Sequence, residues 1–362
     1  MQNNELIVTY GSNISEMTMQ LLEKADLKAL LPNKTMKIGI KPNLVIATTP
    51  DSGATTHVEI VCSVIEYLQK YGYSNLLIIE SSWLGDSTER AYKLNGYDKI
   101  SAKYHVPLFD VKRDQYIKKS ALGIDMEISK TALELDYLIS LPVLKGHGQT
   151  LMTCALKNQK GILSDRSKRM FHSLGLDKPI AALNMLRKAD FFVVDSICGD
   201  LDFEEGGTPI QSDRMFVGMD PVLVDTYGAS LMGYSVNDIG HLKIAARQEI
   251  GLSDLSKANI ITLNQATVSN AKPTGRARKL ACYTNAQSAC SACYGNLLHA
   301  LKIMDDDYED MSLFKKNNIC IGQAFRGKTG CIGVGACTKD FEHTVKGCPP
   351  SANDILDMLK SL

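Results

Sequence analysis

The 362-residue sequence predicts an α/β fold: a mainly parallel sheet flanked by helices, with a smaller C-terminal cysteine-rich module. Three observations carry that expectation. Short apolar runs alternate with segments of helical period through the first two-thirds of the chain, the grammar of a parallel sheet. The residues just past those runs are polar or charged, as at the carboxyl ends of strands where open α/β sheets bind ligands. Seven of the ten cysteines lie between Cys282 and Cys348. The expected division is residues 1–265 as an α/β domain with a candidate substrate cleft, and 266–362 as the cysteine-rich module.

The elements follow in order. Leu6-Ile7-Val8 reads as a strand, and Asn13 to Leu31 as a helix with Met17, Leu21, Leu22 and Ala25 on one face. Met36 to Ile40 is a second strand that runs into Lys41-Pro42-Asn43. Thr56-His57-Val58-Glu59 has the form of a capping box, followed by the apolar face Val61, Val64, Ile65 and Leu68. Leu76 to Glu80, Leu135 to Leu141 and Phe191 to Val194 are further strands. A glycine-rich loop at Glu204 to Pro209 precedes a strand at Met215 to Gly218. Asp220-Pro221 suits a helix start, running to about Met232, and Ile260 to Leu263 reads as a closing strand. The basic segment Lys272 to Lys279 reads as a linker, and no internal repeat is evident.

Composition excludes some classes. Lys+Arg and Asp+Glu both number 40, so the net charge is zero and no basic excess points to nucleic acid. The first residues lack a basic stretch followed by a long apolar one, and no apolar run reaches the ~18 residues of a membrane span. A cytoplasmic protein with no membrane partner is expected. In a reducing compartment, clustered cysteines bind metal or do redox work more often than they form disulfides.

The strand ends supply the candidate site. Lys41 and Asn43, Glu80 and Ser81, Lys145 and His147, and Asp195 all lie at or just past predicted strands. Lys145 and His147 sit in a Lys-Gly-His-Gly loop, where backbone amides and the lysine suit an anion and the histidine suits proton transfer. Ala155 to Gly161 places Lys157, Asn158 and Lys160 before a glycine, a set suited to a carboxylate or phosphate. Lys168 and Arg169 read instead as a solvated charged face. The expected catalytic residues are His147, Lys145 and Asp195. The expected substrate-binding residues are Lys41, Asn43, Lys157, Asn158 and Lys160. The other histidines show no metal-like pairing. No phosphate-binding loop, dinucleotide fingerprint or serine-hydrolase elbow is present.

The cysteines admit three readings: disulfides, zinc or an iron–sulfur cluster. Cys290 and Cys293 have C-x2-C spacing. Cys331 and Cys337 lie among glycines that let amides approach inorganic sulfide, and Cys348-Pro349 matches the Cys-Pro that ends bacterial ferredoxin ligand runs. Structural zinc sites use paired knuckles, and only one such pair occurs here. The ligand set read from spacing is Cys290, Cys293, Cys337 and Cys348, with Cys331 in reserve and Cys282 and Cys320 behind it.

Lys41-Pro42-Asn43, Leu156-Lys157-Asn158 with Gly161, Asp220-Pro221-Val222 with Asp225, Cys290-x2-Cys293 and Gly347-Cys348-Pro349-Pro350 together resemble the domain-of-unknown-function 362 family. The resemblance runs from about Lys37 to the end of the chain. It implies an iron–sulfur protein and strengthens the 4Fe-4S reading. The function expected is an iron–sulfur oxidoreductase or electron-transfer protein acting on a small anionic substrate, with an electron donor such as ferredoxin. The alternatives are a non-redox 4Fe-4S enzyme of hydro-lyase or desulfurase type, and a zinc-stabilised binding protein.

Overall fold

The computed structural model describes residues 1–266 and 273–362. It contains two compact units, residues 1–168 with 177–272 and residues 169–176 with 273–362.

The first unit is built on β1 (Glu5–Tyr10), β2 (Ile38–Pro42), β3 (Leu76–Glu80), β4 (Leu108–Asp110), the hairpin strands β5 (Tyr116–Ala121) and β6 (Ile124–Ser129), β7 (Tyr137–Leu141), the short pair β8 (Lys145–His147) and β9 (Leu151–Thr153), β10 (Phe191–Gly199), β11 (Ile210–Gly218) and β12 (Asn259–Thr262). Eight of these strands form one sheet in the order β12-β1-β11-β10-β7-β2-β3-β4. Neighbours are parallel except where β11 runs against β1 and β10. The parallel strands β2, β3 and β7 are buried along their whole length, as strands covered on both faces must be. The strand order reverses between β2 and β7, so the loops leaving these two strands diverge and leave room for a site.

Helices Ile14–Ala25 and Val58–Lys70 cover one face. Leu21, Leu22, Val61, Val64, Ile65 and Leu68 join Ile38, Ile40, Ile78, Ile139 and Val193 in one core. The second helix starts differently from the expected capping box. Its N-cap is His57, with no side-chain cap. The Thr56 hydroxyl instead accepts from the Asn43 amide (2.8 Å) and donates to the Leu141 carbonyl (2.7 Å), tying the loops after β2 and β7 together. Asp220 does cap its helix, Pro221–Leu231, accepting from Val222 and Leu223 amides.

The second unit contains β13 (Thr284–Ala286), β14 (Ile319–Ile321), β15 (Ile332–Val334) and β16 (His343–Val345), an all-parallel sheet in sequence order. Helices Ser291–Asp306 and Ala352–Lys360 pack on each other. Contrary to the expectation of no repeat, the four strands form a short structural one. After each strand the chain turns through a residue of positive φ, namely Ser288, Gly322, Gly335 and Gly347. Backbone hydrogen bonds join these turns in pairs: Gln323 to Ser288, and Ala336 to Gly347. The segment read as a linker is partly helical. Lys272 lies outside the described residues, but Arg276 opens the helix Arg276–Leu280 and pairs with Asp305 and Asp306.

Candidate functional site

In the first unit the strand-end residues gather around two carboxylates. The first is Glu80, at the end of β3. Lys41 Nζ, fully buried, lies 2.7 Å from Glu80 Oε2. Burial pulls the Lys41 pKa down and Glu80 opposes that pull. Gly161 lets this pair stand against the backbone, since a Cβ there would meet Glu80 Oε1 at 1.7 Å and Lys41 Nζ at 2.7 Å. Ser81 Oγ donates to the Gly161 carbonyl at 2.7 Å. Lys168, expected on a solvated face, is instead buried, with its Nζ on Ser81 Oγ (2.6 Å) and the Ser82 carbonyl (2.8 Å). Burial lowers it to about 8.

The second carboxylate is Glu204. Lys157 pairs with its Oε1, and His147 Nε2 stands 2.9 Å from its Oε2. That His147 contact is off the line of an aligned hydrogen bond, so Nε2 keeps donor capacity. His147 Nδ1 accepts from the Gln149 and Thr150 amides, both at 3.0 Å, which puts the ring proton on Nε2. Lys145 Nζ donates to the Ala54 (2.6 Å) and Glu204 (2.9 Å) carbonyls. Burial lowers Lys145 to about 8. His147 falls to about 4, first through burial and then through the Lys157 charge. Burial works against charge on Glu204, but Lys157, His147 and Lys145 outweigh it and hold the carboxyl well below its usual range. Neighbouring Glu205 moves the other way, to about 8, through burial and the Glu204 charge.

Backbone packing builds this hub. Asp200 accepts from the Asp202, Phe203 and Thr208 amides, each at 2.9 Å, which pins the loop that carries Glu204. Gly146 permits close approach: a Cβ there would fall 2.3 Å from the Leu201 carbonyl oxygen. Asp225, on helix Pro221–Leu231, accepts from the Ala155 and Leu156 amides (2.6 and 3.2 Å) and so fixes the short helix Ala155–Asn158. Asn158 reaches Ser140 Oγ at 2.9 Å, beside Lys41 in the β2–β7 register.

Lys145, His147 and Lys157 therefore meet at Glu204, while Lys41 meets Glu80. Lys160 is partly exposed and its charge acts on His147. Among the described residues the side-chain oxygen of buried Asn43 has no hydrogen-bond partner. Asp195 points elsewhere: its Oδ2 accepts from both the backbone amide and Nδ1 of His57, each at 2.8 Å. Sequence reading misses Glu204 and His57. The Glu-Glu pair ahead of two glycines was a usable signal for the first, and the capping-box reading hid the second.

In the second unit Cys290, Cys293, Cys337 and Cys348 share one neighbourhood. The Cys293 thiol is pushed up by burial and then by Cys290, Cys348 and Cys337. The fold explains the meeting. The turns after β13, β15 and β16 carry Cys290, Cys337 and Cys348 to one end of the sheet. The turn after β14 brings Gln323, whose amide reaches Cys290 Sγ at 3.6 Å. Exposed Arg326 interacts with Cys337, with Cys348 and Cys290 adding to its field. Cys331 and Cys282 are exposed and Cys320 is half-buried. Among the described residues no three His, Cys, Asp or Glu side chains stand close enough to hold a single ion.

Residues 38–230 match the family model described as Domain of unknown function (DUF362). The chain belongs to that family. The match runs from β2 to the helix that carries Asp225. The chain is also 25% identical over 230 residues to Thylakoid-associated protein sll1697 of Synechocystis sp., covering 60% of this chain and 68% of that protein. Among solved structures it is similar to the lactate racemase apoprotein from Thermoanaerobacterium thermosaccharolyticum, with TM-score 0.44, 15% identity and 63% of this chain covered. It is also similar to a protein from Thermotoga maritima, with TM-score 0.39, 12% identity and 64% covered. The chain spans 57% and 59% of those two proteins, less than two-thirds of either. Among the described residues no helix is long and apolar enough to cross a membrane.

Proposed function

We propose that this chain is a 4Fe-4S protein, and that it is an oxidoreductase for a small anionic substrate. The observation that carries the reading is the convergence of Cys290, Cys293, Cys337 and Cys348 in the second unit. These residues fit the group. The donors are thiols, the turns that deliver them run through Gly335 and Gly347, and Arg326 and Gln323 offset thiolate charge. Tetrahedral zinc would need its sulfurs about 4 Å apart, from bonds of ~2.3 Å. A polynuclear cluster holds them farther apart, which agrees with a shared neighbourhood that has no single-ion grouping. When bound, the cluster supplies one-electron transfer chemistry.

The substrate reading rests on the first unit. Lys145, Lys157 and His147 surround a carboxylate, that of Glu204, and so form a setting chemically suited to another carboxylate or phosphate. His147, neutral at pH 7 with its proton on Nε2, can donate a hydrogen bond to a substrate oxygen without carrying charge. Lys145, lowered to about 8, can release one near neutrality.

The test is iron and acid-labile sulfide analysis, with visible and electron paramagnetic resonance spectra, on protein prepared without oxygen. Four irons and four sulfides per chain are expected for one 4Fe-4S cluster. Cys290→Ser and Cys348→Ser should lose both, whereas Cys62→Ser, on the core-facing helix Val58–Lys70, should keep them. Stoichiometric zinc without iron or sulfide refutes the proposal.

A further inference from the structure

The Asp195–His57 pair has a third member. His57 Nε2, the ring nitrogen not held by Asp195, lies 3.8 Å from Cys198 Sγ. Thiol, imidazole and carboxylate thus stand in the order of a nucleophile, its base and the group that orients the base. A shift of register between Ser196 and Cys198 in β10 makes this possible. In a regular strand Asp195 and Cys198 would face opposite sides, and the bulge re-aims the cysteine. Asp195 is fully buried and takes no part in the Glu204 hub.

The pair is also accessible. His57 and Cys198 line a cavity of about 360 Å³, together with Ile14, Asp51, Gln211 and Asp213. That volume suits a small molecule. Asp51 and Gln211 are exposed, so the cavity reaches the surface. Its carboxylates, Asp51 and Asp213, disfavour an anion, in contrast to the lysines around Glu204. Cys198 also has an alternative partner, the Pro50 carbonyl at 3.6 Å.

We propose that Cys198, His57 and Asp195 form a second reactive site, in which Cys198 is the nucleophile for acyl transfer from a small, uncharged or cationic acyl donor. In the reactive form the Cys198 proton already resides on His57 Nε2, and the charged ring stands against the sulfur. The sulfur then adds to the donor carbonyl, whose π pair moves onto oxygen. The carbonyl re-forms as the bond to the leaving group breaks, and that group departs with the proton returned from His57. A thioester remains on Cys198, and water, giving a proton through His57, releases the acid and restores the thiol. Asp195 is a positioning residue: it holds Nδ1 and leaves Nε2 facing sulfur.

The experiment uses the intact chain with p-nitrophenyl acetate, an uncharged acyl donor. A burst of one nitrophenolate per chain is expected, with acetyl on the peptide that carries Cys198. Cys198→Ala should abolish the burst, Cys62→Ala should leave it unchanged, and His57→Gln should slow it about 100-fold. A p-nitrophenyl ester bearing a free carboxylate should react more slowly. Circular dichroism checks that each variant is folded. A measurement on the unaltered chain needs no variant: iodoacetamide at pH 7 should alkylate Cys198 faster than half-buried Cys62. A burst that survives Cys198→Ala, a burst untouched by His57→Gln, or alkylation of Cys198 no faster than Cys62 overturns the proposal.

Discussion

The His57–Asp195 pair makes a charge prediction that one substitution can test. Burial alone disfavours a protonated His57, but the Asp195 carboxylate outweighs it and pushes the ring up to about 10. Set against an ordinary histidine value of ~6.5, that is about 5 kcal/mol in favour of the protonated ring. Because the folded value lies above the unfolded one, this stability is fully present below pH 6.5 and is lost as pH rises through about 10. Asp195→Asn keeps an acceptor for the His57 amide but removes the charge. The buried ring should then titrate below ~6.5, and the alkaline loss of stability should vanish. Histidine-selective NMR titration of both proteins reads the ring directly, and melting between pH 6.5 and 10 reads the linkage. A wild-type ring that titrates at or below pH 6.5, or an Asn variant with an unchanged titration, refutes the reasoning.

Gly161→Ala should lower thermal stability by about 1–3 kcal/mol or more, because the new methyl would fall 1.7 Å from Glu80 Oε1 and must part the Lys41–Glu80 pair. Glu204→Gln should cost about 3–5 kcal/mol at pH 7 by leaving buried Lys157 and Lys145 without their carboxylate. That cost should shrink at pH 9, where Lys145, lowered to about 8, has lost its proton; a urea-unfolding series at the two pH values gives the comparison.

The sheet was legible because its parallel strands are short apolar runs, such as Leu76 to Ile79, that a soluble loop would not contain. The helix start at Asp220-Pro221 was legible because the cap is local. The partners were not. Glu204 reaches Lys157 and His147 across the chain, and nothing in a Glu-Glu-Gly-Gly loop states which carboxylate turns inward. Cys198 reads as an isolated cysteine because the bulge that re-aims it depends on how β10 pairs with β11. The repeat in the second unit escapes notice because the stretches between its strands are uneven. What recurs is a turn of positive φ, not a residue pattern.

His57 and His147, both in the first unit, show how one fold sets opposite proton chemistries on like side chains. His57 Nδ1 faces a carboxylate, so that nitrogen must donate, and a second proton on Nε2 is stabilised by the Asp195 charge. His147 Nδ1 faces two backbone amides, so it must accept, and a second proton would have to displace one of them. Nearby charge widens the difference: Lys157 and Lys160 repel a proton from His147, and Asp195 attracts one to His57. The first ring therefore sits near 10 and the second near 4. Environments that drive like groups apart in this way assign roles. At neutral pH His57 is a charged partner for the Cys198 sulfur, and His147 is a neutral donor among lysines. Both settings originate in the same stretch, since Asp195 lies in β10 and Glu204 in the loop that follows it. A change in the path of that stretch would retune both rings together.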